Sequence, residues 1–167
     1  HLLGLIRSEQ DANEEAIALI EKAIGINGRA APFHHNIAGI YRRMDRLSDA
    51  EHEFRLAIDL KADYGKAYQG LGEMVKFVSG DPIEGKINAQ LARSDLAPAT
   101  RCYFSFAAGK FYDDIAKKHL KSLFPGKATK PVLSLLDDIS DFGSRRPYKI
   151  WPTSIAEVIG SYELLES

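Results

Sequence analysis

Apolar and small positions recur along the first part of this chain with a fixed period. Leu3, Ile37 and Leu71 stand 34 residues apart, and the residues that follow them, Gly4, Ala38 and Gly72, are all small. Ala16 and Ala50, Ile20 and Phe54, and Ala23 and Ala57 keep the same interval of 34. Large apolar aligns with large apolar, and small with small. The pattern predicts a pair of antiparallel helices per unit, because small residues let helices approach closely and large ones fill the space between neighbouring pairs. Beyond the repeats the chain still reads as helical, but out of register. Asp81-Pro82-Ile83-Glu84 predicts a helix start with an N-cap Asp and a Pro at the first helical position, and Ile83, Ile87 and Leu91 mark its apolar face. The chain turns around Leu96-Ala97-Pro98. Gly109 and Tyr112 suggest a further first helix, yet Gly109 lies 37 residues after Gly72 and no turn follows, since Asp113-Asp114 runs straight on until Pro125-Gly126. Val132, Leu135, Leu136, Ile139 and Phe142 predict another helix over Pro131–Asp141, and Gly143–Pro152 reads as a loop. Ser154-x-x-Glu157 is a capping box that opens a last helix bearing Ile155, Val158, Ile159 and Tyr162 on one face. No segment alternates as a strand would, so the fold class is all-α.

The repeat resembles the tetratricopeptide repeat family, whose helix–turn–helix unit carries Leu-Gly and then Tyr in its first helix, and Ala, an aromatic and Ala in its second. The second unit matches with Ile37-Ala38, Tyr41, Ala50, Phe54 and Ala57, and has His34 where a bulky aromatic is usual. The first offers Leu3-Gly4, Ala16, Ile20 and Ala23, with Arg7 in the place of Tyr. The third has Tyr68, Leu71-Gly72 and Val75 in its first helix, but Glu84, Asn88 and Leu91 break the pattern of the second. The resemblance implies an α-solenoid, a right-handed superhelix of antiparallel helix pairs. Residues 1–98 would form units of about 1–30, 31–64 and 65–98, and residues 99–167 a degenerate repeat and helical capping region.

Composition narrows the function classes. With 22 Lys+Arg against 23 Asp+Glu the formal net charge is −1, which argues against a general nucleic-acid binder. No apolar run approaches the roughly 18 residues of a membrane span, and the opening His1-Leu2-Leu3-Gly4-Leu5-Ile6 lacks the basic region of a signal peptide. A cytoplasmic protein, monomeric or weakly dimeric, is the expectation. The absence of an initiating Met suggests a chain that begins inside a longer parent. The single Cys102 excludes an intramolecular disulfide framework and a Cys-based zinc site.

Candidate chemistry adds little. Gly126-Lys127 lacks the earlier Gly and following Ser or Thr of a phosphate loop, and Asp141-Phe142-Gly143 lacks every other kinase element. His34 and His35 are adjacent, so on a helix they diverge by about 100° and cannot chelate one ion from one face. They read as one packed and one groove-facing histidine. Cys102 reads as a packed free thiol. The acid pairs Glu14-Glu15, Asp113-Asp114 and Asp137-Asp138 suit helix starts or exposed faces. No catalytic residue, cofactor or metal is expected.

The resemblance implies a non-catalytic interaction scaffold whose first helices line a concave groove for a partner protein or peptide. By position, the second unit would present His35, Asn36, Gly39, Arg42 and Arg43, and the third Lys66, Gln69, Glu73, Lys76 and Phe77. Asn36 would hold a ligand backbone through its amide, Phe77 would add apolar contact, and Arg42, Arg43, Lys66 and Lys76 would favour an acidic segment. A subfamily that clamps terminal carboxylates is matched only at Asn36 and Lys66, since His1, Leu5 and Gly70 occupy its other positions. The order of elements through Phe106–Asp114 also resembles repeat regions of bacterial sulfotransferase- or glycosyltransferase-type enzymes. The alternative is therefore a regulatory or substrate-presenting region of such an enzyme.

Overall fold

The computed structural model describes residues 1–123. Among the described residues there are seven helices and no strand: α1 (Leu2–Glu9), α2 (Asn13–Ile26), α3 (Ala31–Arg43), α4 (Leu47–Leu60), α5 (Gly65–Gly72), α6 (Ile83–Leu91) and α7 (Pro98–Leu123). Consecutive helices from α1 to α5 pack on one another in order, which is the layout of a helical solenoid. The helices expected over Pro131–Asp141 and from Ser154, the loop Gly143–Pro152, and the motifs at Gly126-Lys127, Asp137-Asp138 and Asp141-Phe142-Gly143 lie outside the described residues.

The turns of the first two pairs repeat as faithfully as the apolar positions. Asp11 (φ 58°) and Asp45 (φ 59°) both adopt the left-handed conformation that closes a helix C-terminus. The Ala12 amide donates to the Arg7 carbonyl at 3.0 Å, and the Arg46 amide to the Tyr41 carbonyl at 2.9 Å, satisfying carbonyls that the helix end leaves free. Glu14 and Glu15 fall in the first turn of α2, as expected of acids that favour a helix N-terminus.

The small residues mark close approach. A Cβ on Gly4 would lie 2.7 Å from Ile20 Cγ1 and 3.0 Å from the Ala16 carbonyl, so α1 meets α2 where only Gly fits. One core cluster joins Ala16, Ile17 and Ile20 of α2 to Ile37, Ile40 and Tyr41 of α3. A second runs from Phe54, Ala57 and Ile58 of α4 through Tyr68 and Leu71 of α5 to Phe104 and Phe111 of α7. His34, in the usual aromatic position, is packed as expected. It is 4% exposed, with Nδ1 2.7 Å from the Glu53 carboxylate and Nε2 3.1 Å from the Gly28 carbonyl.

The third unit departs from the expected form. Its first helix stops at Gly72 instead of running through Val75, and residues 73–82 form a connection. α7 packs along both α5 and α6 and supplies partners to this connection. The Phe77 amide donates to Asp114 Oδ2 at 3.0 Å, Lys110 Nζ donates to the Val75 carbonyl at 3.5 Å, and the Phe77 ring packs against Phe111 with centroids 5.4 Å apart. Gly72 shows the same substitution of partners, because its nearest neighbours are Phe106 and Lys110 of α7. The helix starts one residue later than predicted, with Pro82 at the N-cap, yet Asp81 still serves its N-terminus: Ile83 N–H donates to its carboxylate at 3.0 Å, and both Arg55 terminal nitrogens donate to it at 3.2 and 2.8 Å. Ile83 and Ile87 are buried and Leu91 packs beside them.

α7 is one unbroken helix, as the lack of a turn predicted. Two side chains on it correct the sequence reading. Phe104, Ala107, Ala108 and Phe111 take the inner face, which turns Cys102 outward, and it is exposed instead of packed. Asp114, expected on an exposed face or helix start, is 6% exposed and paired with Lys110.

Candidate functional site

The candidate face is built by α3, the start of α5 and the residue after it. His35 lies on α3, half-buried, with its ring edge-on to Phe54 (5.6 Å) and Tyr64 (5.4 Å). Its Nδ1–H donates to Asn36 Oδ1 at 3.1 Å, and Asn36 Nδ2 donates to His1 Nε2 at 2.8 Å. His1 in turn stacks on Phe33, 4.1 Å between ring centroids. Burial pushes the His35 imidazole below its ordinary value of 6.5, and the charges of Lys66 and Arg42 push the same way against the Asn36 hydrogen bond. His35 is therefore neutral at pH 7.

One turn or more along the same helix, Arg42 forms an ion pair with Glu73 across the α3–α5 boundary. Gln69 Nε2, on α5, donates to the other oxygen of Glu73 at 2.9 Å. The Glu73 carboxylate is thus held by a guanidinium from one unit and an amide from the next. Lys66 stands exposed near the N-terminus of α5. The bonds thus form two groups, His35–Asn36–His1 and Arg42–Glu73–Gln69, and the charges of Lys66 and Arg42 act on His35.

One sequence-derived candidate is buried, and two make bonds outside these two groups. Phe77 is 2% exposed and belongs to the core with Phe111, so it offers no apolar contact at the surface. Burial wins because the shortened α5 lets the chain fold its ring onto α7. Lys76 is off the helix and lies 3.7 Å from the buried Asp114 carboxylate. Arg43 reaches towards the first unit and donates to the Ser8 hydroxyl. Gly39 has open space around it. The exposed aromatic that sequence reasoning missed is Phe106, 47% exposed beside Gly72 at the end of α5. The signal was legible: Phe104, Ala107 and Phe111 define an inner face that Phe106 does not share.

Among the described residues no group of His, Cys, Asp and Glu is placed to hold a metal ion, and no helix is long and apolar enough to cross a membrane. No curated protein matches the sequence. The family model of the tetratricopeptide repeat matches residues 1–29 and 31–64. Repeats of this family mediate protein–protein interactions through the surfaces that stacked helices present. The periodic turns, the helix pairs and this match agree, and residues 1–29 and 31–64 carry tetratricopeptide repeats.

Proposed function

We propose that the protein is a non-catalytic scaffold that binds an acidic segment of a partner protein across the face formed by α3 and α5. The observation that supports this reading is that Arg42 of one unit and Gln69 of the next meet on Glu73, with the charges of Arg42 and Lys66 both acting on His35. Arg42 and Lys66 supply positive potential, His35 adds none because it is neutral, and Glu73 only partly offsets the two cations. A surface of this kind attracts carboxylates and sets the register of a bound chain through amide hydrogen bonds. The Asn36 amide is held by His1 and His35, so a ligand backbone reaches it by replacing the His1 bond.

The test is comparative capture with the full chain as bait. Proteins retained by the wild type are expected to be lost by Arg42→Glu with Lys66→Glu, and added salt should weaken the wild type in the same direction. His52→Ala, on the exposed side of α4, should retain them. A partner held equally by the double charge reversal would remove this face as its site.

A further inference from the structure

The Arg42–Glu73–Gln69 arrangement has the chemistry of an occupied receptor. Both oxygens of one carboxylate are engaged, one by a guanidinium from α3 and the other by a side-chain amide from α5. A guanidinium and a primary amide converging on a single carboxylate is how a protein recognises an Asp or Glu side chain from outside. Here the occupant is internal. The Arg42 and Glu73 side chains are 39% and 36% exposed, so solvent and a ligand can reach the pair. Glu73 is the C-cap residue of α5, with its amide bonded to the Gln69 carbonyl at 3.0 Å, so the backbone stays in place and only the exposed side chain has to swing away.

We propose that Arg42 and Gln69 form a carboxylate-binding subsite that Glu73 fills in the free protein. An acidic side chain of the partner binds by displacing Glu73 and taking its two bonds. This rests on the acidic-segment reading above and adds a regulatory element to it: Glu73 is a built-in competitor that lowers affinity for weakly acidic segments. A partner must present a carboxylate in register with Lys66 and the Asn36 amide to make the exchange favourable. Removing the internal carboxylate, while keeping an uncharged side chain of the same shape, therefore strengthens binding.

The experiment uses the full chain and fluorescein-labelled hexaglutamate, with hexalysine as the opposite-charge control. Anisotropy titrations compare the wild type with Glu73→Gln, Arg42→Gln and the double variant, each checked for unchanged helical circular dichroism. Glu73→Gln should bind hexaglutamate about 5- to 10-fold more tightly than the wild type, consistent with loss of one competing ion pair. Arg42→Gln should bind more weakly, and adding Glu73→Gln to it should restore little. Binding by Glu73→Gln but not by the wild type also supports the proposal. Equal or weaker binding by Glu73→Gln, with the wild type binding and sensitive to Arg42→Gln, overturns the competitor role and leaves the acidic-segment reading standing. No hexaglutamate binding by either protein, or equal binding of hexalysine, overturns both.

Discussion

In the pairs α1–α2 and α3–α4, the first helix ends at a left-handed Asp and the chain turns at once into a second helix that packs along the first. After α5 the chain instead runs through residues 73–82, and the helix that lies along α5 is α7, not the next in sequence. The first-helix signature survives this change, since Tyr68, Leu71 and Gly72 are buried like His34, Ile37 and Ala38 of the second unit, whereas Leu3 of the first is 53% exposed. Gly4 faces Ala16 and Ile20 of its own second helix, while Gly72 faces Phe106 and Lys110 of α7. A repeat signature thus specifies a surface to be covered and leaves open which segment covers it. The buried Asp114 ties α7 to residues 73–82 by accepting from the Phe77 amide, while its pair with Lys110 lies within α7.

The sharpest way to break this difference is Asp114→Ala. It strands a buried amide and a partly buried ammonium, and should cost about 3–5 kcal/mol of stability in urea unfolding. Asp114→Asn keeps an acceptor for the Phe77 amide and should cost less. A loss below about 1 kcal/mol for Asp114→Ala would mean that α7 is held by apolar contact alone.

Next in size is Gly70→Ala. The added Cβ would sit 2.5 Å from the Phe54 ring, which is itself 1% exposed and has little room to move. Overpacking of this kind should cost about 1–3 kcal/mol. Gly39→Ala, with open space around it, should be neutral or slightly stabilising in the same assay.

Asp81 gives the comparison a pH dependence. Hydrogen bonds from Arg55, and secondarily from the Ile83 amide, hold its carboxyl below the ordinary value of 3.8 against the opposing effect of burial. A carboxyl with a depressed folded-state value stabilises fully above its unfolded value and loses that contribution as pH falls through the folded value. Stability should therefore decline below about pH 4, and Asp81→Ala should remove part of that decline while costing about 1–2 kcal/mol at pH 7 through the lost cap. An unchanged acid limb in the variant would assign the decline to other carboxylates.

The smallest effect lies in the regular turns. Asp45→Gly relieves a left-handed residue and should stabilise by up to about 1 kcal/mol, less the entropy gained by the unfolded chain. Asp45→Val should destabilise, because a β-branched residue resists that conformation. At the third unit the positive φ (86°) is at Gly80, one residue later than the period places it, so this lever exists only in the first two pairs.

Much of the architecture was legible in the sequence because it follows from short-range chemistry. Spacing of apolar and small residues announced the helix pairs, Asp81-Pro82 announced the start of α6, and the missing turn after Asp114 announced an unbroken α7. The early end of α5 was not legible, since Val75 and Phe77 fit a continuing helix and only a carboxylate 37 residues further along diverts them. The same event buried Phe77, while the Lys76 side chain stays 86% exposed. Placement by repeat position assumes that the helix continues, and it fails where the helix stops. Arg42, Gln69 and Glu73 were legible as neighbours by position, whereas the ion pair joining them depends on how α3 and α5 meet.

Amide chemical-shift mapping tests directly whether the α3–α5 face receives an acidic segment. On titrating the isotope-labelled full chain with hexaglutamate, the largest changes should fall at His35, Asn36, Arg42, Lys66, Gln69 and Glu73. Changes confined to α2 and α4, or none at these positions while binding is observed, would contradict the account.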